Sequence, residues 1–347
     1  MNQSPLISII TPVYNGGYAF VCCLLAIERS QFTDRELIVV DDGSTDESAA
    51  IARKFGAKIL QTSGREGPGA ARNLGAEVAR GEYLCFIDAD CEVSDDAIAA
   101  LAKTLQSKPE IDVLFGSYDD APKATNFVAQ YKNLMHHYVH QQGKEEASTF
   151  WAGFGVVRRS VFLELGGFDT ERFPRPSIED IELGYRLKQS GANIYLAKNL
   201  QVKHHKAWDL FGLIKTDVID RGIPWTKLLL SDKTKVINDL NLQTSSRISV
   251  VSVYSLIVCL VTSIFNLAAI IPILFLVMLL LYLNWDVYRF FYDKRGFIFA
   301  LKVIPSHWLY YFYAGLSFVL GTLSYWQNNI FGVGNLKYET DKGLARI

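Results

Sequence analysis

The segment LCFIDADCEVS, residues 84–94, decides how the first part of this 347-residue chain folds. An uncharged apolar run from Leu84 to Ile87 leads directly into Asp88 and Asp90, two carboxylates one residue apart. A short continuous apolar run is typical of a strand that is buried on both faces. A buried strand that ends in two acidic residues indicates a site at its carboxyl end that uses negative charge.

Strand-like and helix-like segments alternate over roughly the first 205 residues. Five segments have strand character, namely LISIITPVYN, RELIVVDDGS, AKILQTS, YLCFIDAD and DVLFGSY. Helix-like segments such as TDESAAIARKFG lie between them. Short apolar strands separated by helices predict an α/β fold with a mostly parallel sheet that is covered on both faces.

Polar residues follow three of these strands at the point where each strand ends. They are Thr11–Asn15 after ISII, Asp41 and Asp42 after LIVV, and the acidic pair Asp88 and Asp90. The carboxyl ends of parallel strands meet at one edge of the sheet, where ligands of such folds bind. We therefore expect one site at this edge. The alternative is that these residues are only solvated strand ends, which would place charges at both edges.

The two carboxylates of the DAD segment predict a metal site. Charges at positions i and i+2 repel each other, and without a partner the pKa of one of them rises. Mg²⁺ or Mn²⁺ relieves the repulsion and leaves positions open for phosphate oxygens. Such an ion can hold a diphosphate and neutralise a leaving phosphate. The chain has no P-loop and no G-x-G-x-x-G after its first strand, so we do not expect a glycine cradle for phosphate.

The composition excludes some classes of function. The chain has 35 basic and 36 acidic residues, a net charge of −1, so no overall field favours a nucleic-acid partner. The 5 cysteines show neither a C-x-x-C pair nor zinc-like spacing. We interpret them as reduced core residues in a cytosolic setting. The opening segment MNQSPLISIITPVYNG lacks a basic stretch followed by a long apolar core, so we expect no signal peptide.

The second half of the chain contains two long blocks without charge, residues 248–285 and 303–327. A helix of about 20 apolar residues crosses a bilayer, so we predict a multi-pass membrane region over 247–347. Its spans would lie near 248–266, 267–285 and 303–327, with the turn between the first two at Asn266 or Pro272. Arg247 and Arg289 flank the first block, which predicts a cytosolic N-terminal domain. A very hydrophobic soluble helical domain is the alternative, and the side of the C-terminus stays open.

Residues 206–246 connect the two parts. The segment AWDLFGLIKTDVIDRGIPWTKLLL mixes Trp and Leu with Lys and Arg. This mixture predicts an amphipathic connector that lies along the lipid headgroups. A linker packed on the N-terminal domain is the alternative.

Taken in chain order, the motifs of residues 1–205 resemble those of the family-2 inverting nucleotide-sugar glycosyltransferases. The matching segments are TPVYNG (11–16), VDDGSTD (40–46), GPGAARNLG (67–75), DAD (88–90), GFGVVRRSVFLELGGFD (153–169), SIEDIELGYRLKQSG (177–191) and VKHH (202–205). The resemblance implies a GT-A catalytic domain over residues 1–205, Rossmann-like with a mostly parallel sheet, and a C-terminal transmembrane helical region after it.

The same resemblance implies roles for individual residues. The donor site would consist of Thr11, Pro12, Tyr14, Asp42, Gly67, Arg72 and Asp88. Asp42 could accept hydrogen bonds from a uracil-like base, which favours a UDP-sugar and leaves a GDP-sugar open. The Mn²⁺ or Mg²⁺ ligands would be Asp88, Asp90 and His204, with His205 as the alternative to His204.

Glu179 and Asp180 are candidates for the chemistry at the acceptor. Ser177 can cap the following helix, which would place both acids in its first turn, where the helix dipole favours an anion. Helix stability alone also explains acids there. Sugar transfer with inversion needs an acceptor hydroxyl that is deprotonated as it attacks. We interpret Asp180 as the general base with Glu179 in support, or as a positioning residue if the acceptor is an ionised lipid phosphate.

These features together predict a membrane-bound enzyme that moves one sugar. Processive polysaccharide synthases of this family carry Q-x-x-R-W, which DRGIPW (220–225) does not match. The expected acceptor is therefore a lipid-linked or membrane-associated glycan at the cytosolic face, and the helix-like segment 126–142 would form part of its binding wall. The alternatives are an inactive family member that serves as a membrane scaffold and a nucleotidyltransferase. A transporter is disfavoured because the apolar blocks lack ionisable residues.

Overall fold

An eight-stranded sheet forms the centre of the N-terminal domain. The computed structural model describes residues 4–231 and 243–331. The strands are β1 Ile7–Val13, β2 Arg35–Asp41, β3 Lys58–Gln61, β4 Tyr83–Ile87, β5 Cys91–Val93, β6 Val113–Tyr118, β7 Phe154–Arg158 and β8 Ile194–His204. Their order in the sheet is β3-β2-β1-β4-β7-β6-β8-β5.

Helices connect these strands and continue beyond the sheet. In the N-terminal domain they are α1 Gly17–Arg29, α2 Ser48–Lys54, α3 Pro68–Val78, α4 Ala97–Ser107, α5 Phe127–Gln142, α6 Arg159–Glu164 and α7 Glu179–Gln189. After the sheet they are α8 Leu210–Lys215, α9 Ile223–Ser231, α10 Thr244–Ser263, α11 Ile270–Leu283, α12 Trp285–Arg295 and α13 Phe297–Phe331. A π-helix, Thr216–Gly222, joins α8 to α9.

The sheet is mixed, with four parallel and three antiparallel strand pairings, so the predicted parallel direction holds for most of the pairings but not for all. Strands β1 to β4 pair in parallel, but β7 runs antiparallel to both β4 and β6. The short strand β5 runs antiparallel to β8. A strand that is covered on both faces has the same apolar sequence pattern whichever way its neighbours run, because the pattern reports burial alone.

The Leu84–Ile87 segment of strand β4 packs on both of its faces, as its continuous apolar pattern predicts. Cys85 and Ile87 face the core layer that contains α1 and α4. Leu84 and Phe86 face the opposite layer, which contains α3 and α7. Successive side chains of a strand point to opposite faces, so all four are fully buried. β4 therefore lies in the middle of the sheet, with its carboxyl end at the edge where Asp88 follows.

The helices after the sheet differ from the predicted spans. Among the described residues one helix, α10, is long and apolar enough to cross a membrane. A second candidate exists only if Leu267–Leu283 and Trp285–Arg295, which are bent by 62° at their break, count as one span. The block 303–327 lies in α13, which does not meet these criteria. The structure thus supports one or at most two spans rather than a multi-pass region.

Two details of this region match the sequence. Asn266 lies at the break between α10 and α11, where its side chain accepts a hydrogen bond from the amide of Ala268. The connector packs on both parts of the protein. Ser177 of the domain donates a hydrogen bond to the carbonyl of Asp220, and Gly222 lies against Ser317 of α13. Residues 232–242 of the predicted connector and 332–347 of the predicted membrane region lie outside the described residues.

A test of this packing uses Gly184 in α7. A Cβ atom there would lie 2.3 Å from the backbone nitrogen of Phe150, so Gly184→Ala must push α7 away from the segment before β7. Alanine normally stabilises a helix relative to glycine by about 1 kcal/mol, but overpacking costs about 1–3 kcal/mol. We expect a lower melting temperature for Gly184→Ala.

The matched control is Gly64→Ala, because a Cβ at Gly64 meets no atom within 4 Å. Its free energy of unfolding should change by less than about 0.5 kcal/mol. An unchanged or raised melting temperature for Gly184→Ala would contradict the close approach of α7.

Candidate active site

One large cavity lies at the carboxyl ends of β1, β2 and β4. Its volume is about 2270 Å³, larger than the roughly 300–1,000 Å³ of an ordinary ligand pocket. Asp88 and Asp90 both line it, and so does Asp180 of α7. The cavity continues past the π-helix to α10 and α13. The acids predicted to bind the metal, the predicted base Asp180 and the apolar C-terminal helices therefore line the same cavity.

The turns after β1 and β2 form the first wall. Val13 pairs in register with Asp41, so the two turns start side by side. Asn15 has a φ of 48°, and its side-chain oxygen accepts hydrogen bonds from the amides of Thr45 at 2.7 Å and Asp46 at 3.3 Å. These bonds join the TPVYNG turn to the VDDGSTD turn.

The predicted donor residues of the first turn lie at different depths. Pro12 and Tyr14 line the cavity. The Tyr14 ring is 40% exposed, and the Arg65 guanidinium lies 4.2 Å from its centroid. Thr11 is fully buried and is not among the lining residues. Its hydroxyl has no hydrogen-bond partner within the part of the chain that the structure describes.

Asp42 lines the cavity but already binds its own chain. Its carboxylate accepts hydrogen bonds from the Thr62 hydroxyl at 2.9 Å and from the amides of Glu66 and Gly67 at 2.8 Å each. A carboxylate has about four acceptor positions, so one stays available to a ligand. Gly67 precedes α3 with a φ of 93°, and a Cβ there would lie 2.7 Å from the carbonyl oxygen of Pro174. Glycine is therefore required at this turn.

Arg72 lies at the centre of the site and is buried. One guanidinium nitrogen binds Asp88 at 2.6 Å, and another binds Glu179 at 3.2 Å. The second oxygen of Glu179 accepts a hydrogen bond from the backbone amide of Ser177 at 2.9 Å. The guanidinium of Arg72 thus links the DAD motif, through Asp88, to the acidic first turn of α7, through Glu179.

Asp88 and Asp90 lie in different charge environments. Burial raises the pKa of Asp88 above its ordinary value, and the charges of Asp90 and Glu179 add to the rise while Arg72 opposes it. Burial also acts to raise the pKa of Asp90, but the hydrogen bond from His204 and the charges of His204 and Lys206 lower it overall. One member of the pair, Asp88, thus has a raised pKa, but burial rather than repulsion by Asp90 is the main cause.

His204 and Asp90 are held together by the pairing of β5 with β8. The register places Cys91 opposite His204, and His204 Nε2 lies 3.3 Å from Asp90 Oδ2. His204 Nδ1 lies 2.6 Å from the side-chain oxygen of Asn133 in α5. Asn133 can accept the Nδ1 proton, so Nε2 is the nitrogen that faces Asp90. A proton on Nε2 bridges to the carboxylate, and an ion that displaced this proton would bind the Nε2 electron pair. His205 instead points away and bonds to Glu92 at 2.8 Å.

These donors fit a divalent ion. A carboxylate and a neutral imidazole are suitable ligands for Mn²⁺, and Asn133 orients the imidazole in the way that outer partners of metal ligands do. Asp88 lies apart from this pair because its carboxylate is turned to Arg72. Among the described residues, Asp88, Asp90 and His204 do not bring three donor atoms within 4.8 Å of one another. The ion would therefore be held chiefly by Asp90 and His204.

Asp180 is placed to act on an acceptor. It lies in the first turn of α7, as predicted, although Ile178 rather than Ser177 occupies the cap position. Its carboxylate oxygens accept hydrogen bonds from the backbone amides of Ile181 at 2.8 Å and Ala152 at 3.2 Å. Burial and the charge of Glu179 raise the pKa of Asp180 to about 6, against the effect of Arg72. Such a carboxyl group can exchange a proton near neutral pH.

Three lining residues were not found from the sequence. Asn133 orients His204, and Lys206 and Arg221 line the cavity beside the acids. The segment 126–142 was expected to form part of an acceptor wall, and its residues Tyr131, Lys132, Asn133 and Met135 line the cavity. Nothing in the sequence marks Asn133 among the polar residues of α5, because the contact depends on how α5 packs against β8.

Part of the chain is similar to one known protein family. Residues 8–166 match the model of glycosyl transferase family 2. Glycosyltransferase GlyG of Streptococcus pneumoniae is 37% identical over 121 residues, which is 33% of this chain and 40% of GlyG. The uncharacterized glycosyltransferase YibD of Escherichia coli is 36% identical over 117 residues, 33% of this chain and 34% of YibD. The matched part spans well under half of these relatives.

Solved structures show a similar fold. TarS of S. aureus in complex with UDP-GlcNAc has a TM-score of 0.51 and 18% identity, covering 67% of this chain and 67% of TarS 1-349. Mannosyltransferase PcManGT from Pyrobaculum calidifontis in complex with GDP-Man and Mn²⁺ has a TM-score of 0.51 and 15% identity, covering 96% of this chain and 89% of PcManGT. At such identities only the fold is shown, a GT-A-like α/β domain with a mixed sheet. The match over residues 8–166, less than half of the chain, supports the predicted family.

The bridging role of Arg72 can be tested by Arg72→Met. Removing one partner of a buried ion pair costs about 3–5 kcal/mol, and the partial exposure of Asp88 favours the lower end. We expect a clearly lower melting temperature of the detergent-solubilised chain. Glu179→Gln added to Arg72→Met should recover part of the loss, because it removes one uncompensated charge.

The control is Arg80→Met. The Arg80 side chain is 63% exposed and pairs with Glu36, so its loss should cost less than about 1 kcal/mol. Equal melting temperatures for the Arg72 and Arg80 variants would show that the central ion pairs contribute little.

Proposed function

Because residues 8–166 carry a glycosyl transferase family 2 domain, we propose that the protein transfers a single sugar, with inversion, from a nucleotide-sugar donor to an acceptor at a membrane surface. The observation that carries this proposal is the single cavity that Asp90, His204 and Asp180 share with α10. A divalent ion bound by Asp90 and His204, Mn²⁺ or Mg²⁺, supplies positive charge to the leaving diphosphate.

The donor would lie against the strand ends. Pro12 and Tyr14 present apolar surface to the base, and Asp42 has an acceptor position left for a base N–H, which favours a UDP-sugar. Arg72 positions Asp88 beside the ribose or the metal. Lys206 and Arg221 line the cavity between these residues and the C-terminal helices, where their charges suit phosphate oxygens.

Asp180 would take the proton of the acceptor hydroxyl as that hydroxyl attacks the anomeric carbon. The hydroxyl adds to the face opposite the diphosphate, so the configuration inverts. Glu179 supports this step indirectly, because its charge helps to raise the pKa of Asp180 to about 6. A positioned base of this kind contributes typically about 10²–10⁴-fold to the rate.

The far end of the cavity suits a lipid-linked acceptor. Val250, Tyr254 and Val258 of α10 and Phe318 of α13 line it. α10 is also a candidate span, and apolar side chains on it such as Leu260 and Val261 are exposed. Exposed apolar surface of this kind suits burial in lipid. The protein would thus bind membrane lipids through α10, with the catalytic domain on the cytosolic side and an acceptor that enters from the bilayer.

The two alternatives fit less well. An inactive scaffold would be expected to lack DAD or the pair Glu179 and Asp180. All four acids of these two motifs are present, and all four line the cavity. A nucleotidyltransferase would use a glycine-rich, basic first loop, which TPVYNG is not.

The proposal is tested with the full-length chain purified in detergent and a panel of nucleotide sugars. With Mn²⁺ present, we expect release of nucleoside diphosphate from one class of donor, and we expect chelator or Asp90→Asn to abolish it. Asp34→Asn, which changes an exposed acid before β2, should keep full activity. Turnover that is indifferent to metal and to Asp90→Asn would remove the metal from the proposal.

The pH dependence tests Asp180. With a pKa of about 6, the reactive carboxylate form increases as pH rises through 6, so transfer to a hydroxyl acceptor should rise about tenfold between pH 5 and 7 and then level off. Asp180→Asn should keep donor binding and lose this transfer. If Asp180→Asn keeps full turnover, Asp180 is not the base, which is the outcome expected for an ionised lipid phosphate as acceptor.

A further inference from the structure

A second set of metal-ligand side chains lies outside the cavity. Cys22 of α1, Glu92 of β5 and His205, directly after β8, bring one donor atom each to within 4.8 Å of one another. It is the single group of three such donors found in the residues that the structure describes. None of the three lines the large cavity. They come from three elements that are far apart in sequence, so only the packing of α1 against the β5–β8 edge brings them together.

The surroundings of these side chains hold them in place. The His205 side chain is 5% exposed, and its Nε2 atom lies 2.8 Å from Glu92 Oε2. The other oxygen of Glu92 lies 3.5 Å from the Arg29 guanidinium. Glu92 thus has Arg29 as an outer partner, and burial limits the rotation of the His205 ring, as for ligands of built metal sites.

We propose that Cys22, Glu92 and His205 form a site for a divalent transition metal of the zinc type. A thiolate, an imidazole and a carboxylate are the three ligand types of protein zinc sites, and water can fill the fourth tetrahedral position. Bond lengths of about 2.0–2.3 Å put ligand atoms on one ion roughly 3.5 Å apart, so small side-chain rotations close the site. Binding releases the thiol proton of Cys22 to solvent and breaks the His205–Glu92 hydrogen bond. The proton on His205 Nε2 passes to solvent while Nδ1 keeps or takes up a proton, so that Nε2 presents its electron pair to the metal.

The hard cations Mg²⁺ and Ca²⁺ do not suit this site, because thiolate sulfur selects softer metals. The site would therefore be chemically distinct from the one at Asp90 and His204. The position of the Cys22–Glu92–His205 site links it to the site at Asp90 and His204. β5 has three residues and pairs with β8 alone, and it follows directly after Asp90. A metal that ties α1 to β5 and to the end of β8 would hold Asp90 and His204 at a constant distance.

The test uses Co²⁺ as a spectroscopic probe of the full-length, chelator-treated chain in detergent. Cobalt bound by a thiolate gives a charge-transfer absorption in the near ultraviolet. We expect this band to appear with one Co²⁺ per chain, to be displaced by Zn²⁺ and to be absent in Cys22→Ser. Cys259→Ser is the matched control, because Cys259 is also a partly exposed free cysteine but lies in α10. It should keep the band.

Further variants identify the other ligands and separate the two sites. Glu92→Gln and His205→Gln should each shift the Co²⁺ titration to at least tenfold higher concentration, while Asp90→Asn should leave it unchanged. Zn²⁺ should raise the melting temperature of the parent chain and not that of Cys22→Ser. The absence of the band from the parent chain, or its persistence in Cys22→Ser, would overturn the proposal.

Discussion

The contact on which the site depends is the buried guanidinium of Arg72 between Asp88 and Glu179. Two carboxylates from different parts of the chain could not lie so close in a buried position without a cation, because each would be left with an uncompensated charge. Arginine meets this need because its planar fork can donate to two acceptors at once and stays charged when buried. The end of β4 and the start of α7 are held at a constant separation as a result.

Around Arg72 the charges are divided between two halves of the cavity. On one side, the hydrogen bond from His204 and the charge of Lys206 keep the pKa of Asp90 low, so this carboxylate is ionised and suits a cation. On the other side, burial and Glu179 raise the pKa of Asp180, so this carboxylate suits proton exchange. In our proposal the first half holds the donor diphosphate and the second half receives the acceptor. The cavity between them extends to α10, which in the same proposal lies at a membrane surface.

The sheet could be predicted from the sequence only in part. The strands with continuous apolar runs, β1, β2, β4 and β6, were recognised, as was the break at Asn266. Strand direction was not, because the mixed pattern arises from β7, which is inserted antiparallel between β4 and β6. The uncharged blocks also led to a prediction of more membrane spans than the described helices support. An uncharged segment packs equally well on its own protein or in lipid, and α13, with Pro305 and buried aromatic residues such as Tyr311, packs on its neighbours.

What the sequence alone determined is local: the acids at the ends of strands, their order along the chain and the first turn of α7 with Glu179 and Asp180. These follow from patterns within a few residues and from a resemblance that lies in ordered motifs. Only the tertiary structure decided which of the adjacent histidines faces Asp90, that Asn133 orients it, and that Cys22 meets Glu92 and His205. The reason is physical, since alternate residues of a strand face opposite sides and their partners come from distant elements whose packing no local pattern encodes.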